Sequence, residues 1–387
     1  MRLQLKGVAK ATAIGLIGST CLAMGSASAT EGYFQNGYGA RQQALAGAGV
    51  ADSRDAMALS LNPAGIVGLG QQLQVGVSLF MPFRGYDAVG PGFVAPGGMS
   101  GSIDSSSNIF GVPNMAYVAP IDPQSAWGFA LFGNGGMNTT YKNVFNSNCG
   151  GLGAGVFCGG NAGVDLMQAF LTVGYARSFG QFSLGVAPVV AVQRFKARGL
   201  SLFAPFSSDP LHLTNNDYDY SIGAGVRAGV QWAVTSNVRI GVSGQSPIWM
   251  TNFDDYRGLF AEQGDFDIPG NVTAGIAFDL NPAFTVMLDY KRIFYGSVPS
   301  IANPSTPLLP GSLGTDNGPG FGWHDVDIFK VGAEWRISPI WTLRAGYAHN
   351  TNPIKVPDVT FNILAPGVVT DHFSGGFSYK MSPAATI

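Results

Sequence analysis

The sequence predicts an all-β transmembrane barrel of about twelve strands, with a small helical hatch near its N-terminus plugging the lumen. Three observations carry this expectation. The chain opens on an export leader, its composition is poor in charge and rich in glycine, and its later segments alternate apolar and polar residues with a period of two.

The leader is expected over residues 1–29. Arg2, Lys6 and Lys10 form a basic start, Ala11–Met24 an apolar stretch, and Ala27-Ser28-Ala29 a small-residue cleavage site, so the mature chain begins at Thr30. No later apolar run reaches about 18 residues, which excludes transmembrane helices. A closed barrel is the other way to pair every backbone donor and acceptor inside lipid.

Charged residues make up 11% of the chain and glycine 55 of 387 residues. Soluble domains carry about 25% charge, so an outer surface that meets lipid suits this chain better. The formal net charge of −2 becomes more negative once the leader's three cations are removed, which excludes a nucleic-acid footprint.

Residues 30–70 are Ala-rich with no alternation, and form the expected hatch. The barrel is expected over 71–387. Leu73, Val75, Val77 and Leu79 alternate with polar or small neighbours, as do Tyr220, Ile222, Val226 and Trp232, and Phe329, Val331 and Trp335. Strands are expected near 71–80, 112–120, 125–133, 165–179, 182–198, 217–234, 237–250, 269–280, 284–295, 324–337, 341–350 and 370–380. Tight turns at 179–181, 235–237 and 338–340 alternate with long Gly/Pro/Ser/Asn-rich connections, the pattern of short periplasmic turns and long external loops. Trp127, Tyr175, Trp232, Trp249, Tyr295, Trp335 and Trp341 fall near strand ends, as an aromatic girdle would. The chain ends in what reads as a periplasmic turn, not a final strand.

Asn62-Pro63-Ala64-Gly65 is the sharpest local motif. Proline fixes φ, glycine permits a reversal and the asparagine side chain can bond local backbone; a generic turn would explain the same residues. Cys149 and Cys158 share one loop, and an exported chain meets an oxidising compartment, so a disulfide is plausible there. It would contribute roughly 2.5–3 kcal/mol in the chain-entropy model. No His or carboxylate clusters beside them as a metal site would require. Alternation turns Arg227, Lys330, Arg336 and Arg344 into the lumen, and Lys291 with them. They are candidates for meeting a substrate carboxylate, or else they pair with lumen acids such as Asp219, Asp289 and Glu334, or line wet space. Apolar residues in loops 81–99 and 144–167 are candidates for an outer groove.

The order of these features resembles the FadL/TodX family of outer-membrane hydrophobic-compound transporters. Gly47-Ala-Gly-Val-Ala-Asp52, Asn62-Pro63-Ala64-Gly65, Val112-Pro113-Asn114, the Asp316–Asp325 loop, Trp341–Tyr347 and Val359–Pro366 carry the likeness along nearly the whole mature chain. It implies a fourteen-stranded outer-membrane barrel, so that against about twelve strands read here the last two are expected to be missing, with Asn62, Pro63 and Ala64 at the hatch motif. It also implies external capture of substrate, a pocket inside the barrel, and release into lipid at a kink in the third strand. Gly133, Gly135 and Gly136 are suited to such a kink, or else they start the following loop. The implied substrate is a long-chain fatty acid, with monoaromatic hydrocarbons as the alternative. The expected partners are that hydrophobic molecule, outer-membrane lipid and lipopolysaccharide. The chain is expected to be a monomer that needs no cofactor or metal. An enzyme is disfavoured because the four His lack a nucleophile motif beside them. A general porin is disfavoured by the low charge and the hatch.

Overall fold

The computed structural model describes residues 2–13, 30–89, 101–152 and 155–387. Twelve strands of eight residues or more follow residue 70 among them, and each pairs antiparallel with the next in sequence. They are β1 (Gln72–Val89), β2 (Phe110–Asp122), β3 (Ser125–Asn138), β4 (Gly163–Phe179), β5 (Phe182–Arg198), β6 (Asp219–Ala233), β7 (Val238–Gln245), β8 (Asn271–Asn281), β9 (Phe284–Ile293), β10 (Val326–Arg336), β11 (Trp341–Asn350) and β12 (Asp371–Ser382).

The alternation expected from sequence is the alternation seen. Leu73 and Val75 are 66% and 69% exposed on the outer face, where lipid takes the place of a packing partner. The inward residues of the same strands meet the hatch. Trp127, Tyr175, Trp232, Trp249, Trp335 and Trp341 face outward as a girdle requires. Tyr295 does not. It is fully buried, and its hydroxyl donates to the Glu31 carbonyl at 2.6 Å and accepts from Tyr33 N at 3.2 Å. It belongs to the core because the chain turns inward after β9.

Strand β1 runs nine residues past its expected end at residue 80. Pro82 lies inside this extension; proline removes only one donor and fixes φ within the extended range, so alternation carries through it. The expected groove loop 81–99 is therefore strand as far as Val89, and residues 90–100 lie outside the described part.

The hatch is less helical than expected. It holds one short α-helix (Ala40–Ala44), two 3-10 turns (Ala56–Ser60 and Pro63–Ile66) and two two-residue strands (Thr30–Glu31 and Phe34–Gln35). Its glycines interrupt any longer helix, and contacts with the barrel wall fix its path instead.

Arg2–Ala13, within the expected leader, lies antiparallel along Ser78–Val89 of β1. Among the described residues no ladder joins β1 to β12; Ala385–Thr386 returns along β12 instead. The open edge of β1 offers backbone groups that the Arg2–Ala13 strand satisfies.

Candidate functional site

The Asn62 motif is a hydrogen-bonded anchor. Asn62 caps the Pro63–Ile66 turn by accepting from Ala64 N at 3.1 Å. Its Nδ2 donates to Val50 O within the hatch at 2.9 Å and to Val230 O of β6 at 3.0 Å. Pro63 begins the turn, where its missing N–H costs nothing. The backbone of Pro63 and Ala64 lies so close to β5 that a Cβ at Gly185 would come within 2.3 Å of Ala64 N. Gly65 is buried against Ser53 in the same way.

The lumen cations do point inward, and each is taken up by the protein itself. Lys330 and Lys291 hold the Glu31 carboxylate at 2.5 and 2.7 Å. Arg344 and Arg336 bond Glu334 at 2.8 and 2.9 Å. Arg227 has no acid partner among the described residues and donates to the Ser60 carbonyl and to Gln245 Oε1. Arg41 of the hatch bridges Asp52 and Glu334 at 2.6 and 3.0 Å, and Arg239 of β7 bonds Asp52 at 2.8 Å. Burial would raise the Asp52 carboxyl, but Arg41, Arg54 and Arg239 outweigh it and hold it down to about 2. Glu31 is likewise held down to about 2 by Lys291 and Lys330 against the effect of burial. Lys291, Lys330 and Arg227 thus bind the hatch to the wall, whereas Arg336 and Arg344 hold Glu334 within the wall.

The third strand shifts register between Gly133 and Gly135. On the β4 side, Gly133 pairs with Ala169 and Gly135 with Gln168, so Asn134 is an extra, bulged residue. On the β2 side, the ladder ends at Asn114 opposite Phe132. Beyond it, Phe110–Pro113 pairs with β1 and Gly135–Asn138 with β4. Pro113, which has no N–H to donate, sits where the ladder stops. The result is a gap in the wall between β2 and β3.

The N-terminal segment of the hatch closes this gap from inside. Phe34 bridges to Gly135, and the Tyr33 carbonyl accepts from Gly136 N at 3.1 Å. A Cβ at Gly135 would stand 1.8 Å from that carbonyl, so only glycine admits the segment. A cavity of about 350 Å³ lies here. Phe80, Phe110, Val112, Leu131, Phe132 and Met167 give it an apolar lining beside the glycines of β3. That volume falls in the range of small-molecule pockets. Leu131 and Val192, which also line it, belong to the outer face, so the cavity opens toward lipid.

A smaller apolar groove of about 40 Å³ lies among the external loops, lined by Phe195, Phe203, Leu259, Phe260, Phe321 and Phe361 among others. Of the lining residues, none comes from 81–99, and Val164 is the one from 144–167. Their spacing in sequence is too wide for a local signal to have found them. Near it, Asp265 is pushed up to about 7 by burial and by the neighbouring Asp267. Cys149 and Cys158 are joined in a disulfide in the β3–β4 loop.

Comparison with known proteins agrees with this architecture. Residues 20–387 match the family model of outer membrane protein transport proteins (OMPP1/FadL/TodX). The long-chain fatty acid transport protein of Escherichia coli O157:H7 is 23% identical over 338 residues, covering 76% of this chain and 72% of that protein. That of Salmonella typhi is 23% identical over 314 residues, covering 71% and 68%. Among solved structures, a FadL homologue of Pseudomonas aeruginosa superposes with a TM-score of 0.62 at 17% identity, covering 92% of this chain and 88% of that one. The toluene transporter TbuX of Ralstonia pickettii superposes with a TM-score of 0.60 at 18% identity, covering 90% of each. The twelve-strand sheet, the hatch and the family match agree: the chain is an outer-membrane β-barrel protein and belongs to the OMPP1/FadL/TodX family of outer membrane protein transport proteins.

Proposed function

We propose that the protein passes long-chain fatty acids from the external groove, past the hatch, into the cavity beside β3, and out to the membrane through the gap between β2 and β3. The observation that carries this reading is the gap itself, where the β2–β3 ladder ends at Asn114–Phe132 over an apolar cavity of about 350 Å³. An apolar solute leaving there enters lipid without crossing water, so passive partition drives it. Movement of this kind makes and breaks no covalent bond, and we infer a transporter that needs no cofactor. Removal of residues 1–29 as a leader belongs to the same reading. Monoaromatic hydrocarbons are the second substrate class, since the toluene transporter TbuX shares the fold.

Deleting Asn134 tests the route. Without the extra residue, β3 pairs one-to-one with β4 and extends toward β2. Cells carrying the deletion should lose uptake of labelled oleate while the barrel keeps its heat-modifiable migration. Undiminished uptake by a folded deletion variant would overturn the lateral route.

A further inference from the structure

Arg84 stands apart from the other inward cations. The alternation of β1 places it on the lumen side in line with Phe80 and Pro82. Among the described residues it forms no ion pair. Its Nη2 reaches only the Ser107 carbonyl, at a long 3.5 Å, and its Nε is shielded from solvent without a hydrogen-bond partner. Asp165 of β4 is engaged by Asn138 and by the Tyr218 hydroxyl instead.

The space around Arg84 fits an anion with an apolar tail. Arg84 lines a small chamber of about 30 Å³ with Tyr33, Phe80, Pro82, Met137 and Trp323. That chamber shares Thr30, Tyr33, Phe80 and Gly136 with the large cavity at the gap. Tyr33, at the junction, is buried, with its hydroxyl toward Gln168. The half-buried guanidinium lies over the Phe110 ring at 5.9 Å but has no carboxylate, and a substrate carboxylate supplies the paired acceptors it lacks.

We propose that Arg84 receives the carboxylate headgroup of the substrate, with the acyl tail lying in the adjoining cavity beside β3. This rests on the transport reading above and adds to it a basis for choosing acids over neutral hydrocarbons. Lys291, Lys330, Arg336 and Arg344 do not serve that role, since protein carboxylates already hold them.

The test compares oleate with oleyl alcohol, which shares the tail and lacks the charge. Binding to the purified, detergent-folded barrel is titrated for wild type, Arg84→Gln and Arg84→Lys. Wild type should prefer oleate. Arg84→Gln should weaken oleate by about tenfold or more and leave the alcohol within about twofold, and Arg84→Lys should restore most of the loss. Equal wild-type affinity for acid and alcohol overturns the proposal without any variant, as does equal weakening of both ligands in a folded Arg84→Gln. Either result leaves the transport reading standing. A folded wild type that binds neither ligand removes the transport reading, and the role of Arg84 with it.

Discussion

The hydroxyl of Tyr38, on the hatch, donates to Oδ1 of Asn134, the bulged residue of β3, at 3.0 Å. Asn134 Nδ2 in turn donates to Gln168 Oε1 at 2.9 Å, Gln168 Nε2 to Gln193 Oε1 at 3.0 Å, and Gln193 Nε2 to the Phe266 carbonyl at 2.8 Å. One buried chain of amides therefore joins the hatch, the bulge, two wall strands and an external loop. Such a network holds its parts in one arrangement because each unpaired member would be left without water.

Tyr38→Phe breaks the first link and leaves Asn134 Oδ1 buried without its donor. The expected loss is about 1–3 kcal/mol, felt locally. Amide exchange at Gly135–Met137 should quicken while exchange in β8–β11 stays at the wild-type rate.

Gly135→Ala places a methyl group where the Tyr33 carbonyl now sits, 1.8 Å away. The Tyr33–Gln35 segment must move, at a cost of about 1–3 kcal/mol for overpacking. Since that segment closes the gap, labelled oleate should enter cells faster than through the wild-type protein, and the unfolding midpoint should fall.

Asn62→Ala removes the cap on the Pro63 turn and leaves the Val50 and Val230 carbonyls without the Nδ2 donor. The Val50 carbonyl keeps a donor in Gln231 Nε2 at 3.0 Å, so each bond lost contributes about 0.5–1.5 kcal/mol. The hatch should loosen within an intact barrel, seen as increased ion conductance in planar bilayers with unchanged heat-modifiable migration.

The charged groups give two opposite pH responses. Asp52 and Glu31 are held down to about 2, below the ordinary carboxylate range of about 4. Their stabilising effect on the docked hatch is complete above that range and is lost as pH falls toward 2. Conductance should therefore rise on acidification from about pH 5 to pH 3, and less so in Asp52→Asn, which has lost the titrating group. Asp265 is pushed up to about 7 by burial and by Asp267. Its protonated form suits the folded loop, so the loop loses stability as pH rises from about 4 through 7. Amide exchange in residues 251–268 should be slower at pH 5.5 than at pH 8 after correction for intrinsic rates, and Asp267→Asn should shrink the difference.

Strand placement was legible because lipid imposes it locally. An outward residue such as Leu73 or Phe329 meets hydrocarbon whatever its neighbours do, so period-two alternation and the short turns at 179–181, 235–237 and 338–340 fix the strands in order. Glycines 133, 135 and 136 marked the irregular stretch of β3 for the same reason: a missing side chain is a local fact. The run Phe80-Met-Pro-Phe-Arg84 continued that alternation too, and extending the first strand past residue 80 would have shown Arg84 on the lumen side.

What the lumen does was decided by contacts across the barrel. Lys330 points inward by its place in β10, but only the fold sets Glu31 against it from 299 residues away in sequence. The same holds for Arg344 and Glu334 facing Arg41 of the hatch, for Tyr295 turning into the core, and for the phenylalanines that meet in the external groove. Alternation states which side of the wall a residue faces, because that depends on the backbone alone. Whether an inward cation meets a carboxylate, a carbonyl or an empty chamber depends on which distant segment packs over it, and that is settled only when the hatch and loops fill the barrel.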